Sequence, residues 1–171
     1  MSIIVTGSIA FDYLMSFPGK FTEHLLAEHM SRVSLSFLVD TMDKRRGGCA
    51  PNIAYTLALL GERPRLMATA GQDFGDYRSW LEAAGVDTSL VPDVPDKFTA
   101  SFFCSTDADN NQIASFYTGA MANAGELSFR TIPGLERDDW PLEDPKGQPP
   151  ERVRQIRDDI RARVQALAAR L

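Results

Sequence analysis

The residues best suited to chemistry cluster in the stretch RGGCAPNIAYTLALLG, which runs from Arg46 to Gly61. Gly47 and Gly48 lack a Cβ, so the backbone there can adopt positive φ and a ligand can approach it closely. Asn52 follows at the predicted start of a helix, where the first N–H groups lack intrahelical partners and carry partial positive charge. This stretch could hold a small polar or anionic ligand, although a plain glycine turn before an ordinary helix fits the local pattern equally well.

A second candidate is Asp12, which lies in the apolar sequence IAFDYLM. A carboxylate among apolar neighbours is costly to bury without a partner, so we expect Asp12 to have one. Its carboxylate could accept hydrogen bonds from ligand hydroxyls. It could equally cap a turn or face water, and the local sequence does not separate these roles.

Composition narrows the class of protein. The 171 residues, 44% hydrophobic and 24% charged, are enough for one soluble globular domain. The net charge of -5 gives no reason to expect nucleic-acid binding, and no apolar run approaches the roughly 18 residues that span a bilayer. The start of the chain lacks a signal-peptide pattern, and Cys49 and Cys104 lack a metal-type spacing. We expect a cytoplasmic protein with reduced thiols and without a metal site or a membrane partner.

Strands and helices that could position these residues alternate along the chain. The predicted strands lie at 3–5, 33–39 and 66–70, and the predicted helices lie at 53–60 and 77–84. The first helix is predicted to place Ile53, Thr56, Leu57 and Leu60 on one face. Residues 40–46 are predicted to be a charged connection, and residues 98–118 a β-hairpin. This order predicts an α/β sheet with an antiparallel element attached.

The character of the chain changes after Phe129. Residues 130–150 hold half of the ten prolines and no periodic apolar pattern, which predicts a loop. From Glu151 onward, apolar residues recur every three or four positions and predict an amphipathic C-terminal helix. Its apolar stripe consists of Val153, Ile156, Ile160, Val164, Leu167 and Leu171. The chain is therefore predicted to divide into residues 1–129, 130–150 and 151–171.

Residues 3–129 resemble the N-terminal part of the PfkB, or ribokinase-like, family of sugar and nucleoside kinases. The sequence GSIAFD, which ends at Asp12, resembles the family's first strand and its ligand-binding aspartate. The sequence GQDFG resembles a later turn of the family, and FTASFF with NNQIASFY resembles strands of nucleoside-type and related bacterial members. The order and spacing of the family's first signature are matched by Gly47, Gly48, Asn52, Ala54, Gly61 and Gly71.

The resemblance implies a partial ribokinase-like sheet and phosphorylation of a sugar or nucleoside hydroxyl with ATP and Mg²⁺. It also implies that Asp12, Gly47, Gly48 and Asn52 bind the hydroxyls of this small-molecule acceptor. A carboxylate and an amide can together bind a vicinal diol, which agrees with these roles. The segments around 33–39 and 98–117 would contribute to the family's small lid over the sugar.

The sequence also departs from the family. The family's phosphate-binding turn and catalytic base read like Gly-Ala-Gly-Asp in the C-terminal half, and this sequence does not occur among the 171 residues. The ATP-binding half is not matched either. Because phosphoryl transfer needs positioning and charge stabilisation at the γ-phosphate, we expect the chain to be catalytically incomplete, with no kinase base. An incomplete sheet would expose a strand edge and apolar surface, which predicts self-association.

Residues 131–171 resemble a different family, through the sequence DWPLEDPKGQPPERVRQIRDDIRARV. They resemble the C-terminus of thioredoxin-coupled arsenate reductases, which share the fold of low-molecular-weight phosphatases. The resemblance implies that Asp144, which precedes Pro145, matches a general acid of that family; a plain turn residue is the alternative. The two resemblances together predict a junction of two fragments near residues 129–131.

The reductase family also needs a nucleophilic cysteine six residues before an arginine. Tyr55 stands six residues after Cys49, and Asn110 stands six residues after Cys104, so the cysteine loop is not matched. Three functions therefore remain open: a kinase-family acceptor-binding fragment, a relative of arsenate reductases or phosphatases without its cysteine loop, and a non-catalytic binding module.

Overall fold

The computed structural model describes residues 3–24, 34–134 and 140–169. The chain divides into two compact units, which are Ser2–Ser128 and Phe129–Leu171, and each is described by itself. The division into residues 1–129, 130–150 and 151–171 stays a prediction.

The first unit combines short strands with two helices. Its strands are β1 (Ile4–Thr6), β2 (Ala10–Ser16), β3 (Thr41–Gly47), β4 (Arg65–Met67), β5 (Ala70–Gly71), β6 (Asp87–Leu90), β7 (Asp93–Val94), β8 (Ala100–Thr106) and β9 (Gln112–Tyr117). Its helices are α1 (Cys49–Leu59) and α2 (Gly75–Ala83), and short 3-10 turns lie at Phe21–Glu23 and Gly119–Glu126. The second unit contains a 3-10 turn at Phe129–Thr131 and the helix α3 (Pro150–Ala168).

The strands form three sheets. A parallel sheet has the order β1-β4-β6, a mixed sheet has the order β3-β2-β8-β9, and β5 pairs with β7. In the mixed sheet, β2 lies between β3, which is antiparallel to it, and β8, which is parallel to it. The predicted α/β class with an attached antiparallel element is therefore confirmed, and β2 is an interior strand of that element.

The predicted hairpin is formed by β8 and β9, which pair antiparallel. Its turn is built around Asp107, whose Oδ1 accepts the backbone N–H groups of Asp109 and Asn111 at 2.9 and 2.8 Å. A carboxylate that binds backbone donors two and four residues ahead is a strong local reason for the chain to reverse there.

The predicted strand over 33–39 is wrong for its described residues, 34–39, which form no strand; Val33 lies outside the described residues. Most of the stretch predicted to be a charged connection, residues 40–46, instead belongs to strand β3. An edge strand exposes much of its surface to water, so charged side chains suit it and hide the usual apolar alternation. β2 was indicated only by the resemblance of GSIAFD to the family's first strand. Burial does not alternate along Ala10–Ser16, so the period-two pattern that reveals a half-exposed strand is missing.

The strands between residues 65 and 94 also differ from the prediction. The run predicted as one strand over 66–70 is interrupted and yields β4 and β5. The strands β6 and β7 lie in a region for which no strand was predicted. Both are short, and strands of two to four residues carry too few side chains for an alternating pattern to be seen.

Helix α1 begins at Cys49, three residues before Asn52, and its buried residues are Ala50, Pro51 and Ala54. The predicted apolar face is therefore wrong, because Ile53 and Leu60 are exposed. The helix packs against β1 and β4 through its small residues. Small side chains allow a helix to approach a sheet closely, whereas hydrophobicity alone favours the larger residues.

The core of the first unit lies between the parallel sheet and the two helices. Its largest fully buried side chains include Tyr77, Phe74, Ile9, Leu66 and Leu81. Burying each such side chain stabilises the fold by about 1.5 to 3 kcal/mol before the entropy cost of ordering it. The predicted helix over 77–84 is confirmed as α2, which buries Tyr77 and Leu81.

The predicted C-terminal helix is confirmed as α3, with Pro150 at its start. Of its predicted apolar stripe, Ile156 is buried, Val153 and Val164 are exposed, and Leu171 lies outside the described residues. The segment Pro141–Glu143 and one face of α3 line a cavity of about 440 Å³. None of the helices in the described parts of the chain is long and apolar enough to cross a membrane.

Candidate functional site

Asp12 lies on β2 with its side chain half-buried. In the sheet register it stands opposite Arg45 of β3 on one side and Phe102 of β8 on the other. Side chains of paired residues in adjacent strands point to the same face of a sheet. Asp12, Arg45 and Phe102 therefore share one face of the sheet, and the Arg45 guanidinium is paired there with Asp43 at 3.2 Å.

The carboxylate of Asp12 lies directly against Gly47, the last residue of β3. A Cβ built on Gly47 would stand 2.9 Å from Cγ of Asp12 and would overlap its Oδ2. Only a glycine at this position leaves the carboxylate where it is. The structure thus brings together two of the predicted site residues.

Gly48 precedes α1 and has φ 97°, a conformation that favours glycine. It is also crowded, because a Cβ there would lie 2.9 Å from the backbone nitrogen of Ala10. Both properties require glycine, so the predicted need for positive φ in the glycine pair is met at Gly48. At Gly48 the backbone leaves the mixed sheet, which contains Asp12, and enters α1.

Asn52 is the fourth residue of α1, so its predicted position at the very start of the helix is corrected by one turn. Its side chain is exposed, and its backbone carbonyl accepts the hydroxyl of Thr56 at 2.8 Å. The first backbone N–H groups of α1 belong to Cys49 and Ala50 instead. One of them, the N–H of Cys49, donates to Ser8 Oγ at 3.4 Å.

Cys49 is exposed, whereas Cys104 is buried. The Sγ of Cys49 lies 3.5 Å from Ser8 Oγ, and this hydrogen bond lowers the pKa of the Cys49 thiol. Its position at the N-terminus of α1 favours the thiolate further. Ser8 was not predicted as a site residue, because a lone serine in a turn gives no distinctive sequence signal.

Two cations next to the glycine pair lie over aromatic rings. Lys44 Nζ is 3.9 Å from the centre of the Phe11 ring, and the Arg46 guanidinium is 5.1 Å from that of Trp80. They contribute to a cavity of about 170 Å³ that is lined by Phe11, Lys44, Arg45, Arg46, Asp73, Asp76 and Tyr77. Neither Asp12 nor Asn52 lines it, so this cavity is not the predicted acceptor site.

Asp144 is exposed, and its Oδ1 accepts the backbone N–H of Lys146 at 2.9 Å. This contact stabilises a local turn, as the plain structural alternative requires. The role of Asp144 as a general acid stays a prediction.

A mixed α/β fold that joins a parallel sheet to a strand-built element is the partial ribokinase-like architecture. Residues 8–131 match the model of the pfkB family carbohydrate kinases. This chain belongs to that family. The match ends at residue 131, so the resemblance of the tail to arsenate reductases stays a prediction.

Solved structures of a nucleoside kinase from Burkholderia thailandensis are similar to this chain. The structure in complex with inosine has 43% sequence identity, a TM-score of 0.58, and coverage of 72% of this chain and 38% of that one. The structure in complex with ADP-inosine has 42% identity, a TM-score of 0.53, and coverage of 74% and 40%.

A nucleoside kinase from Methanothermobacter thermautotrophicus is 34% identical over 120 residues, which are 69% of this chain and 36% of that protein. The chain thus spans little more than a third of the length of this relative.

Proposed function

We propose that this chain forms the acceptor-binding part of a nucleoside kinase, in which Asp12, Gly47, Gly48 and Asn52 bind the ribose hydroxyls. The observation that carries this proposal is the Asp12 carboxylate packed on Gly47, next to the turn at Gly48. A carboxylate has two oxygens and can accept hydrogen bonds from two neighbouring hydroxyls. The exposed Asn52 amide adds donors and an acceptor one turn into α1.

A nucleoside fits the neighbourhood of Asp12 better than a simple sugar does. Phe102 is half-buried and stands in register with Asp12 on the same face of the sheet. An aromatic ring next to a diol-binding carboxylate offers a surface on which a base can stack. The similar kinase that was solved with inosine supports a purine nucleoside as the first ligand to test.

Calorimetric titration of the purified chain tests the acceptor. We expect inosine to bind more tightly than 2′,3′-dideoxyinosine, which keeps the base but lacks both hydroxyls. Ribose and fructose test whether the base contributes, and both sugars should bind more weakly than inosine. Equal affinity for inosine and its dideoxy analogue would contradict a diol site.

We further infer that these 171 residues bind an acceptor without phosphorylating it. ATP with Mg²⁺ is the donor that the family implies, and Gly-Ala-Gly-Asp does not occur in the sequence. Across residues 3–24, 34–134 and 140–169, no group of three or more His, Cys, Asp or Glu side chains could hold a metal ion. The residues that stabilise charge at the γ-phosphate in the family are not matched in this sequence, so we assign no transfer step to the chain.

A phosphorylation assay with ATP, Mg²⁺ and inosine, adenosine, ribose or fructose tests this inference. We expect no product above a protein-free control, because charge stabilisation at the γ-phosphate is missing. Turnover by the purified chain at ordinary kinase rates would contradict it.

The alternative kinship with arsenate reductases depends on a reactive cysteine, and Cys49 is the exposed one. Its lowered thiol pKa favours this second function, whereas the missing arginine six residues later does not. Arsenate that slowed alkylation of Cys49 would support it. We propose that residues 130–150 are the seam between the acceptor domain, residues 1–129, and a tail helix that does not supply chemistry.

We also propose that the chain self-associates through the β9 edge of the mixed sheet. Every residue of β9 is exposed, and β8 is its paired neighbour among the described strands. Its sequence QIASFY carries no charge and exposes Ile113, Phe116 and Tyr117. Uncharged edge strands with free backbone groups promote pairing between copies.

A further inference from the structure

Tyr77 connects α2 to the glycine pair. Its side chain is fully buried, and its ring packs against Phe11 and Phe74 with centroid distances of 5.6 and 5.4 Å. Its hydroxyl donates a hydrogen bond to the backbone carbonyl of Gly47 at 3.0 Å. Burial raises the pKa of this hydroxyl well above its ordinary value, so it remains a donor at neutral pH.

Gly47 needs such a connection because of its place in the sheet. It ends the edge strand β3, which pairs only with β2 in the mixed sheet as described. Terminal residues of an edge strand have the fewest hydrogen bonds to hold them. The Tyr77 hydroxyl therefore adds a hydrogen bond to Gly47 from outside the sheet. Gly47 is also the residue against which the Asp12 carboxylate lies.

The turn before α2 makes similar hydrogen bonds to the start of the segment that leads into β8, the other neighbour of β2. Asp73 Oδ1 accepts the backbone N–H of Thr99 at 2.7 Å, and the N–H of Gly71 donates to Thr99 Oγ1 at 3.0 Å. Thr99 directly precedes β8. Gly47 of β3 and Thr99, the residue before β8, are thus both hydrogen-bonded to residues 71–77, and Tyr77 makes the contact on the β3 side.

We propose that Tyr77 is a positioning residue of the acceptor site, which holds Gly47 in place so that the Asp12 carboxylate faces an acceptor diol. Tyr77 acts through Gly47, and its hydroxyl is already engaged with that carbonyl. The inference rests on the proposed function, in which Asp12 and Gly47 bind the acceptor.

The test compares Tyr77→Phe with the matched control Tyr55→Phe. Tyr55 is a half-buried tyrosine that stacks on Trp80 at 4.0 Å, and its hydroxyl makes no hydrogen bond with any described residue. For each protein, calorimetry gives the ratio of the affinities for inosine and 2′,3′-dideoxyinosine. Partial unfolding lowers both affinities equally, so this ratio reports the diol contact rather than stability. Hydrogen exchange of the peptide that contains Gly47 and Gly48 reports how firmly the hydrogen bond from Tyr77 holds this backbone.

We expect the affinity ratio to fall about fivefold in Tyr77→Phe, the size of one lost neutral hydrogen bond. Exchange at Gly47 and Gly48 should become faster, and Tyr55→Phe should match the wild type in both measurements. An unchanged ratio in Tyr77→Phe, while the wild type prefers inosine, would overturn the positioning role alone. A wild type without preference for inosine would overturn the proposed function, and the inference with it.

Discussion

The carboxylate of Asp12 occupies the space that a side chain on Gly47 would need. A Cβ at Gly47 would lie 2.9 Å from Cγ of Asp12 and 3.2 Å from its Oδ1, and it would overlap Oδ2. The two residues belong to different strands and are 35 positions apart in the chain, yet a side chain at position 47 would require the Asp12 carboxylate to move. The contact between Asp12 and Gly47 therefore links two residues of the predicted acceptor site.

Gly47→Ala should displace the Asp12 carboxylate and weaken inosine binding. The atoms that block the methyl group belong to the end of a half-buried side chain that can rotate away, so the loss of stability should stay below the about 1 to 3 kcal/mol of overpacking in a rigid core. Gly75→Ala is the matched control, because a Cβ there meets nothing within 4 Å and its φ is not in the left-handed region. Differential scanning calorimetry and inosine titration measure both effects. Normal inosine affinity in Gly47→Ala would show that the carboxylate does not need this position.

Much of the site could be predicted from the sequence because its backbone requirements select residue types. Gly48 has positive φ and Gly47 has no room for a side chain, and glycine is the residue that satisfies both. The hairpin over 98–118, which turns at Asp107, and the helix over 77–84 were predicted for similar local reasons. Where local backbone geometry restricts the residue type, the sequence itself shows the restriction.

Other features depend on tertiary contacts and could not be predicted from the local sequence. The strand β3 reads as a charged connection because it is an edge strand, and the buried face of α1 consists of small residues. The hydrogen bond from Tyr77 to Gly47 joins residues 30 positions apart, and a tyrosine on an apolar helix face looks like any core residue. Such contacts follow from the fold and cannot be seen in residue spacing.

Cys49 should react with iodoacetamide at lower pH than an ordinary thiol. The hydrogen bond from Ser8 lowers its pKa, so the thiolate forms at lower pH in the folded chain than in the unfolded chain. Ser8→Ala should move the pH at half-maximal alkylation rate upward, because the stabilising hydrogen bond is lost. Cys104 is buried and should react slowly throughout, which makes it an internal control. A midpoint that does not change in Ser8→Ala would contradict the role of Ser8.

The β9 edge should drive association of copies of the chain at tens of micromolar, a concentration range on the order of that at which exposed hydrophobic edges associate. Ile113→Lys places a charge on this edge and should shift the chain toward monomer in sedimentation velocity. Met42→Lys is the control, because Met42 is an exposed residue of the already charged strand β3. A wild type that sediments as a single monomeric species at these concentrations would contradict the proposed association.

The most direct test of the acceptor site is inosine binding by Asp12→Asn, with Asp109→Asn as the control. Asp109 is an exposed carboxylate in the hairpin turn, paired with Lys20 at 3.1 Å. Hydrogen bonds to a charged group are worth about 1.5 to 3 kcal/mol, so Asp12→Asn should weaken inosine binding roughly ten- to hundredfold. Its affinity for 2′,3′-dideoxyinosine and the behaviour of Asp109→Asn should match the wild type. If Asp12→Asn binds inosine as tightly as the wild type does, Asp12 does not hold the acceptor.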